Sequence, residues 1–300
     1  MRFLPRGPRN KDPYSPIRRG FMTKEKRSLS ESPVLDIKAG GHRLRAVSYG
    51  PGPKNTVSLV FLHEGLGSIA QWRDFPDRIA VAAECAVVVY ERQGHGGSEP
   101  LTGKRSPDYH TIEARDVLPD VLDAFGVEKA ILFGHSDGAT IALLFAGLYP
   151  DRTLGVIAEA PHVFLEDISV NGIRAAKEAF ETGNLMGRLE TYHGDNTETM
   201  FSAWADTWLN PAFRNWSVED KLPAIKAPVL LVQGEDDEYG TSEQLRRIEA
   251  GVGGDAETLL IPGCGHSPHA EKREEVFEAT LHFIRRCAPA VRAGVSEDGT

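Results

Sequence analysis

The residues best suited to chemistry lie in Gly134-His135-Ser136-Asp137-Gly138, a G-x-S-x-G run. A serine hydroxyl is a weak nucleophile until a neighbouring base takes its proton. Small residues on both sides permit a turn too sharp for larger side chains, and the serine itself must then take a strained backbone conformation. The base is expected at His266, in Ile261-Pro262-Gly263-Cys264-Gly265-His266, where a Gly-x-Gly approach lets a loop reach back over a sheet edge. His269 is its competitor; most of the ten histidines read as surface or satisfied core residues. A base that becomes charged during reaction needs a carboxylate to orient it. Four acids crowd together in Glu235-Asp236-Asp237-Glu238, and Asp237 is the choice, with Asp236 second. Neighbouring carboxylates raise each other's pKa, so the buried one needs firm hydrogen bonding to stay ionised. A zinc site built from His266, His269 and Glu271 is disfavoured, because the prolines and loop context do not give helical ligand geometry. No metal and no cofactor are expected.

Such groups act together only if a scaffold brings distant segments to one edge. Val34–Lys38 and Leu44–Tyr49 read as a hairpin around Gly40-Gly41. Thr56–Leu62, Ala86–Tyr90, Ala130–Phe133, Leu154–Ala158, Val229–Val232 and Thr258–Ile261 are apolar nearly throughout, as strands buried on both faces are. Helical patterns over 70–84, 109–125, 138–149, 241–251 and 271–287 separate them. This alternation predicts an α/β fold with a doubly wound, mostly parallel sheet of eight strands. The G-x-S-x-G run falls between a strand and a helix, the context that gives the motif its meaning. A helix starting there also favours a developing anion at Ser136.

One interval breaks the alternation. From Pro161 to Lys226 there are two or three amphipathic helices, no strand, and three of the four tryptophans. Trp204 and Trp208 are spaced i, i+4 and share a helix face. A helical insertion late in such a sheet predicts a cap over the edge where these folds bind ligands. Most of its aromatics are expected to pack the cap on the core, with two or three facing a pocket.

The order Ser136, Asp237, His266 is that of the α/β-hydrolases, and the chain resembles a capped member of that superfamily over residues 34–287. Leu62-His63-Glu64-Gly65-Leu66-Gly67 resembles the family's oxyanion loop, and Arg92-Gln93-Gly94-His95-Gly96-Gly97-Ser98 its R-G-x-G-x-S turn. The latter is no dinucleotide fingerprint, since Glu99 stands where the third glycine belongs. The resemblance implies an oxyanion hole made by the backbone N–H of Asp137 and a second from Gly65, with Leu66 the alternative. It also implies a pocket bordered by His63, Glu64, His135, Trp204 and Trp208. Two residues depart from the commonest family pattern. Glu64 stands where glycine is usual, leaving room for it to assist water or a leaving group. Asp137 follows the nucleophile where small or hydrophobic residues are commoner. Two acids at the pocket mouth disfavour anionic substrates unless paired, with Arg92 or His95 as the partners in view.

A serine at the nucleophile position argues against dehalogenase and epoxide hydrolase chemistry, which in this fold uses aspartate. The resemblance then implies a carboxylesterase or lactonase acting on a small to medium apolar or aromatic substrate through an acyl-enzyme. Two alternatives stand beside it: a C–C bond hydrolase acting on a ring-cleavage product, and a non-catalytic small-molecule receptor. C–C hydrolases of the fold commonly carry Asn before the nucleophile and a cap Arg; here His135 holds the first place, and Arg174 or Arg188 is available for the second.

The rest of the sequence narrows the setting. Between Met1 and Arg27 nine cations face two acids, a net +7, so the other residues carry −16 to give the chain its −9. An acidic body disfavours nucleic acid, whose phosphates need clustered cations. No run reaches the ~18 apolar residues of a membrane helix. Three widely spaced cysteines suggest no disulfide framework, and a cytoplasmic, reducing compartment is expected. Residues 1–32, basic and rich in Pro and Ser, read as disordered, and the first 21 as dispensable if Met22 is the start. The expected organisation is a core of 33–160 and 217–288, a cap of 161–216, and a disordered tail of 289–300. The small-molecule substrate is the one partner expected, and the sequence is silent on oligomeric state.

Overall fold

The computed structural model describes residues 33–51 and 56–287. The expected disordered segments, 1–32 and 289–300, lie outside the described residues. The described chain forms an eight-stranded sheet in the order β1-β2-β4-β3-β5-β6-β7-β8. The strands are β1 Leu35–Ala39, β2 His42–Tyr49, β3 Ser58–Leu62, β4 Ala86–Tyr90, β5 Ala130–His135, β6 Thr153–Glu159, β7 Val229–Gly234 and β8 Ala256–Ile261. The β1–β2 hairpin turns at Gly40 and Gly41, both at positive φ, and β2 joins β4 antiparallel; from β4 to β8 the pairing is parallel.

Parallel strands covered on both sides have no polar face, which is why β3, β4, β5 and β7 are buried at every residue. Their side chains alternate between two cores. Val60, Leu62, Val88 and Leu132 pack toward helices 137–148 and 243–251, while Phe61, Val87, Val89 and Phe133 pack toward helices 75–83 and 273–287. The expectation that β8 is buried on both faces is corrected: it is the sheet's edge, with alternate residues half covered and Leu260 exposed. Helix 75–83 also starts later than predicted. A short 3₁₀ turn over Ile69–Trp72 ends at Arg73, whose φ of 55° breaks the helical run. The 109–124 helix is interrupted by a π turn at Glu113–Val117, just before Pro119.

Between β6 and β7 lie three helices, Asp167–Thr182, Leu185–His193 and Thr197–Trp208, packed on one another. This insertion is tied to the strand-end loops by polar contacts. His193 accepts the Gly96 N–H at Nδ1 (2.9 Å) and gives its Nε2–H to the Leu66 carbonyl (2.9 Å). Asn196 donates to the carbonyls of Gly96 and Ser98, both at 3.0 Å.

Candidate active site

Ser136 sits between β5 and helix 137–148 at φ 53°, ψ −116°, a conformation that L side chains rarely adopt. Holding it costs about 1–3 kcal/mol, so the surroundings must over-determine the turn. They do. A Cβ on Gly134 would stand 2.2 Å from the Gly138 carbonyl oxygen, and one on Gly138 would stand 2.0 Å from that of Leu62. The Ser136 N–H is meanwhile held by the Glu159 carbonyl on the neighbouring β6 (2.8 Å). The hydroxyl's residue is buried but for 8% of its surface and stands at the amino end of a twelve-residue helix.

Of the four acids after β7, the fold buries Asp237 and leaves Glu235 and Asp236 exposed. Its Oδ1 accepts from His266 Nδ1 (2.8 Å), from the Tyr239 N–H (2.8 Å) and from the Gly240 N–H (3.3 Å), while Oδ2 accepts from Gln233 (3.1 Å). Burial alone would raise the carboxyl's pKa; His266 and these donors outweigh it and hold Asp237 below the ordinary carboxylate range. For His266 the balance has the same shape with opposite sign. Burial favours the neutral ring, but Asp237, then Glu238 and Glu64, push its pKa up to about 9. The structure thus brings Asp237 and His266 together and ties them to Ser136's neighbour: His135 Nε2 lies 2.7 Å from the His266 carbonyl oxygen. His135 is buried against Trp72, His266 and His269.

The loop after β3 is built around Arg92, a fully buried guanidinium. It donates to the carbonyls of His63 and Glu64, and its backbone N–H reaches His63 Nε2 at 3.1 Å. Nε2 therefore accepts, and His63 Nδ1 donates to the Glu64 carbonyl (2.7 Å); both ring nitrogens serve the loop. The Gly65 carbonyl oxygen faces His95 Nε2 at 3.0 Å. A Cβ on Gly65 would stand 2.3 Å from Trp204 Nε1, so any larger residue there would have to displace the indole. Trp204 therefore lies directly on the loop. The Glu64 carboxylate turns back to accept the Leu66 N–H, so Leu66, the alternative oxyanion donor, is already engaged. Burial pushes Glu64 up to about 7, against the pull of that N–H and of His266.

The expectation that Asp137 is open at a pocket mouth is corrected: it is buried, with the Arg92 charge acting on it as expected but with Tyr109 and His110 as its direct partners. Asp137 is 1% exposed, accepts from the Tyr109 hydroxyl at 2.5 Å, and lies 3.3 Å from His110 Nε2. Burial would raise its pKa, but His110, Arg92 and Tyr109 hold it well below the ordinary carboxylate value. Trp208 donates its indole N–H to the same Tyr109 oxygen (3.0 Å) and packs on His162, Phe213 and Trp216, so its polar edge serves this network. Tyr109, His110, His193 and Asn196 carry no local motif and are not identifiable from sequence. Among the described residues, the His/Cys/Asp/Glu group close enough for a metal is His135, Glu159 and His269, a different set from the one weighed above.

Comparison with known proteins agrees with this architecture. A chain from Comamonas testosteroni named 2-hydroxy-6-oxo-6-phenylhexa-2,4-dienoate hydrolase is 26% identical over 255 residues, 76% of this chain and 88% of that one. A thermophilic esterase from Thermogutta terrifontis superposes with a TM-score of 0.68 at 19% identity, covering 85% of this chain and 99% of that one. The enol-lactonase from Burkholderia xenovorans LB400 gives 0.64 at 19%, covering 84% and 100%. The model of the alpha/beta hydrolase family matches residues 59–279, from the strand before the His63 loop to the last helix. With the sheet order, the strained serine turn and the loops at the strand ends, that match establishes that the chain belongs to the alpha/beta hydrolase family.

Proposed function

We propose that this hydrolase cleaves a carboxylic ester or lactone of a small to medium apolar or aromatic substrate, with Ser136 as nucleophile, His266 as base and Asp237 as its orienting acid. The observations that support the reading are the buried Asp237–His266 pair, the bond that His135, next to Ser136, gives to the His266 carbonyl, and a serine held at positive φ on a helix amino terminus. With Nδ1–H committed to Asp237, the neutral ring offers Nε2 to the Ser136 proton. Ser136 Oγ attacks the carbonyl carbon, and His266 returns the proton to the leaving alkoxide. Water activated by the same imidazole then releases the acid. We assign the oxyanion donors to the backbone N–H groups of Asp137 and Gly65. The first opens a helix and has no partner within it, and the competing Leu66 N–H is taken by Glu64. Losing such a donor costs about 3–4 kcal/mol of transition-state stabilisation. Trp204, against Gly65, favours an apolar or aromatic acyl group, and the insertion's hydrogen bonds to the loops support its role as a cap.

A second reading, C–C bond hydrolysis, draws on the dienoate hydrolase names of relatives 25–27% identical over 255 residues. Against it stands His135, whose ring turns away to the His266 carbonyl. Hydrolysis of p-nitrophenyl esters of two to eight carbons, by wild type and Ser136→Ala, separates the readings. Rapid turnover abolished by the substitution supports the esterase. Inertness of both proteins, with turnover of a 6-aryl-2-hydroxy-6-oxo-dienoate, selects the C–C hydrolase.

A further inference from the structure

We propose that His135, Glu159 and His269 form a positioning network behind the site, which fixes the His266 imidazole relative to Ser136; the proposal rests on His266 acting as the base. The connections close a ring. Ser136 gives its N–H to the Glu159 carbonyl (2.8 Å). The Glu159 carboxylate, wholly buried, accepts the His269 backbone N–H on one oxygen (2.5 Å) and His269 Nδ1–H on the other (2.6 Å). Three residues back along the same loop stands His266, whose carbonyl accepts from His135 Nε2 (2.7 Å). A carbonyl only accepts, so Nε2 carries the proton of His135. His135 precedes Ser136 in the chain. Nucleophile and base are thus joined through side chains other than Asp237.

This arrangement accounts for features the reaction itself leaves unused. A carboxylate with no solvent contact persists only when its oxygens are paired, and both are paired by His269 alone. The His266 loop passes through glycines at 263 and 265, one at φ 59°, and needs an external fixture to hold its angle. The network supplies two, one at residue 266 and one at 269. His135, Glu159 and His269 also have ligand atoms within 4.8 Å of one another. A cation among them would have to break the His269–Glu159 pair, which already satisfies the carboxylate. The charged and titratable groups facing His266 are Asp237, Glu238 and Tyr239 after β7, Glu64 after β3, His135 on β5 and His162 after β6. His135 holds the loop's backbone and Asp237 its ring.

The test compares His135→Phe, which removes the donor, with His135→Gln, whose amide N–H reaches a similar point, and with Glu159→Gln. The ionisation of His266 is followed by NMR, and p-nitrophenyl ester kinetics are measured alongside. In His135→Phe and Glu159→Gln the His266 ionisation should move to lower pH as the ring leaves Asp237. Turnover (kcat) should fall about 10- to 100-fold, as for a displacement near 1 Å, with KM within about twofold. His135→Gln should restore both quantities. A His266 ionisation unchanged in His135→Phe, whatever the melting temperature does, overturns the proposal. So does failure of His135→Gln to differ from His135→Phe, or a tightly bound zinc whose removal alone reproduces the loss. The NMR arm needs no substrate. An inert wild type therefore refutes the ester reading while the network is judged separately.

Discussion

Asp237→Asn isolates what one carboxylate does to His266. In the wild type three forces act on the imidazole: burial, which favours the neutral ring; Asp237 at 2.8 Å, which favours the charged one; and the weaker fields of Glu238 and Glu64. Their balance stands at about 9 against an ordinary 6.5. The difference corresponds to about 3 kcal/mol favouring the protonated ring, at 1.36 kcal/mol per tenfold. With the charge removed, burial dominates and the ionisation should drop to near or below 6.5. A base works only when neutral, so wild-type kcat/KM should rise with pH, reach half its maximum near 9 and level off above it. In Asp237→Asn the rise should finish at least two pH units earlier, at a plateau lower by about 10³–10⁴-fold because the ring has lost its orienting acceptor. Folding stability should follow the same sign. The folded-state pKa is raised, so the contribution is fully present below pH 6.5 and lost as pH climbs through 9 in the wild type alone. The assay is kcat/KM on a neutral p-nitrophenyl ester between pH 5 and 10, with urea unfolding at the same pH values. A mutant whose acid limb coincides with the wild type would refute the assignment of Asp237 as the group that sets His266.

Three other predictions probe the surrounding frame. Gly138→Ala places a methyl group 2.0 Å from the Leu62 carbonyl oxygen, so activity should vanish and the chain lose at least 2–3 kcal/mol of stability, read by urea unfolding. Tyr109→Phe strips the buried Asp137 and the Trp208 indole of a shared partner, and unfolding should report a loss of about 1–3 kcal/mol. Glu64→Gln keeps an acceptor for the Leu66 N–H but cannot ionise. Because burial raises the Glu64 pKa to about 7, its stabilising contribution holds below the ordinary 4.5 and is lost as pH rises through 7. The substituted protein should therefore melt higher than wild type at pH 8 and nearly equally at pH 4.5, measured by scanning calorimetry.

The fold was legible because its signals are local. A strand covered on both faces is apolar residue by residue, and the β1–β2 turn is written in two adjacent glycines. Thr258–Ile261 misled because edge position depends on which strand the chain adds last, and four apolar residues carry no record of that. In the candidate site, the Ser136 turn was readable since sterics demand glycine at 134 and 138. The sequence narrowed the acid to four crowded neighbours with Asp237 preferred, and the burial that sets Asp237 apart from Glu235 and Asp236 is what tertiary structure added. The roles of Arg92 and Asp137 were misjudged for a common reason. Charged residues were matched to charged partners, whereas the buried guanidinium serves backbone carbonyls and the buried carboxylate a phenol and an imidazole. Tyr109, His193 and Glu159 lie 27, 57 and 23 positions from Ser136, at element ends with no repeating pattern, so only the fold reveals what they hold.

The central claim is that Ser136 becomes covalently acylated with His266 as its activator, and the direct measurement is mass spectrometry after brief exposure to an alkyl fluorophosphonate. One adduct per chain, mapped to the peptide carrying Ser136, abolished in Ser136→Ala and slowed at least a hundredfold in His266→Ala, is the predicted result. An adduct on another residue, or equal labelling of Ser136→Ala and wild type, would contradict it.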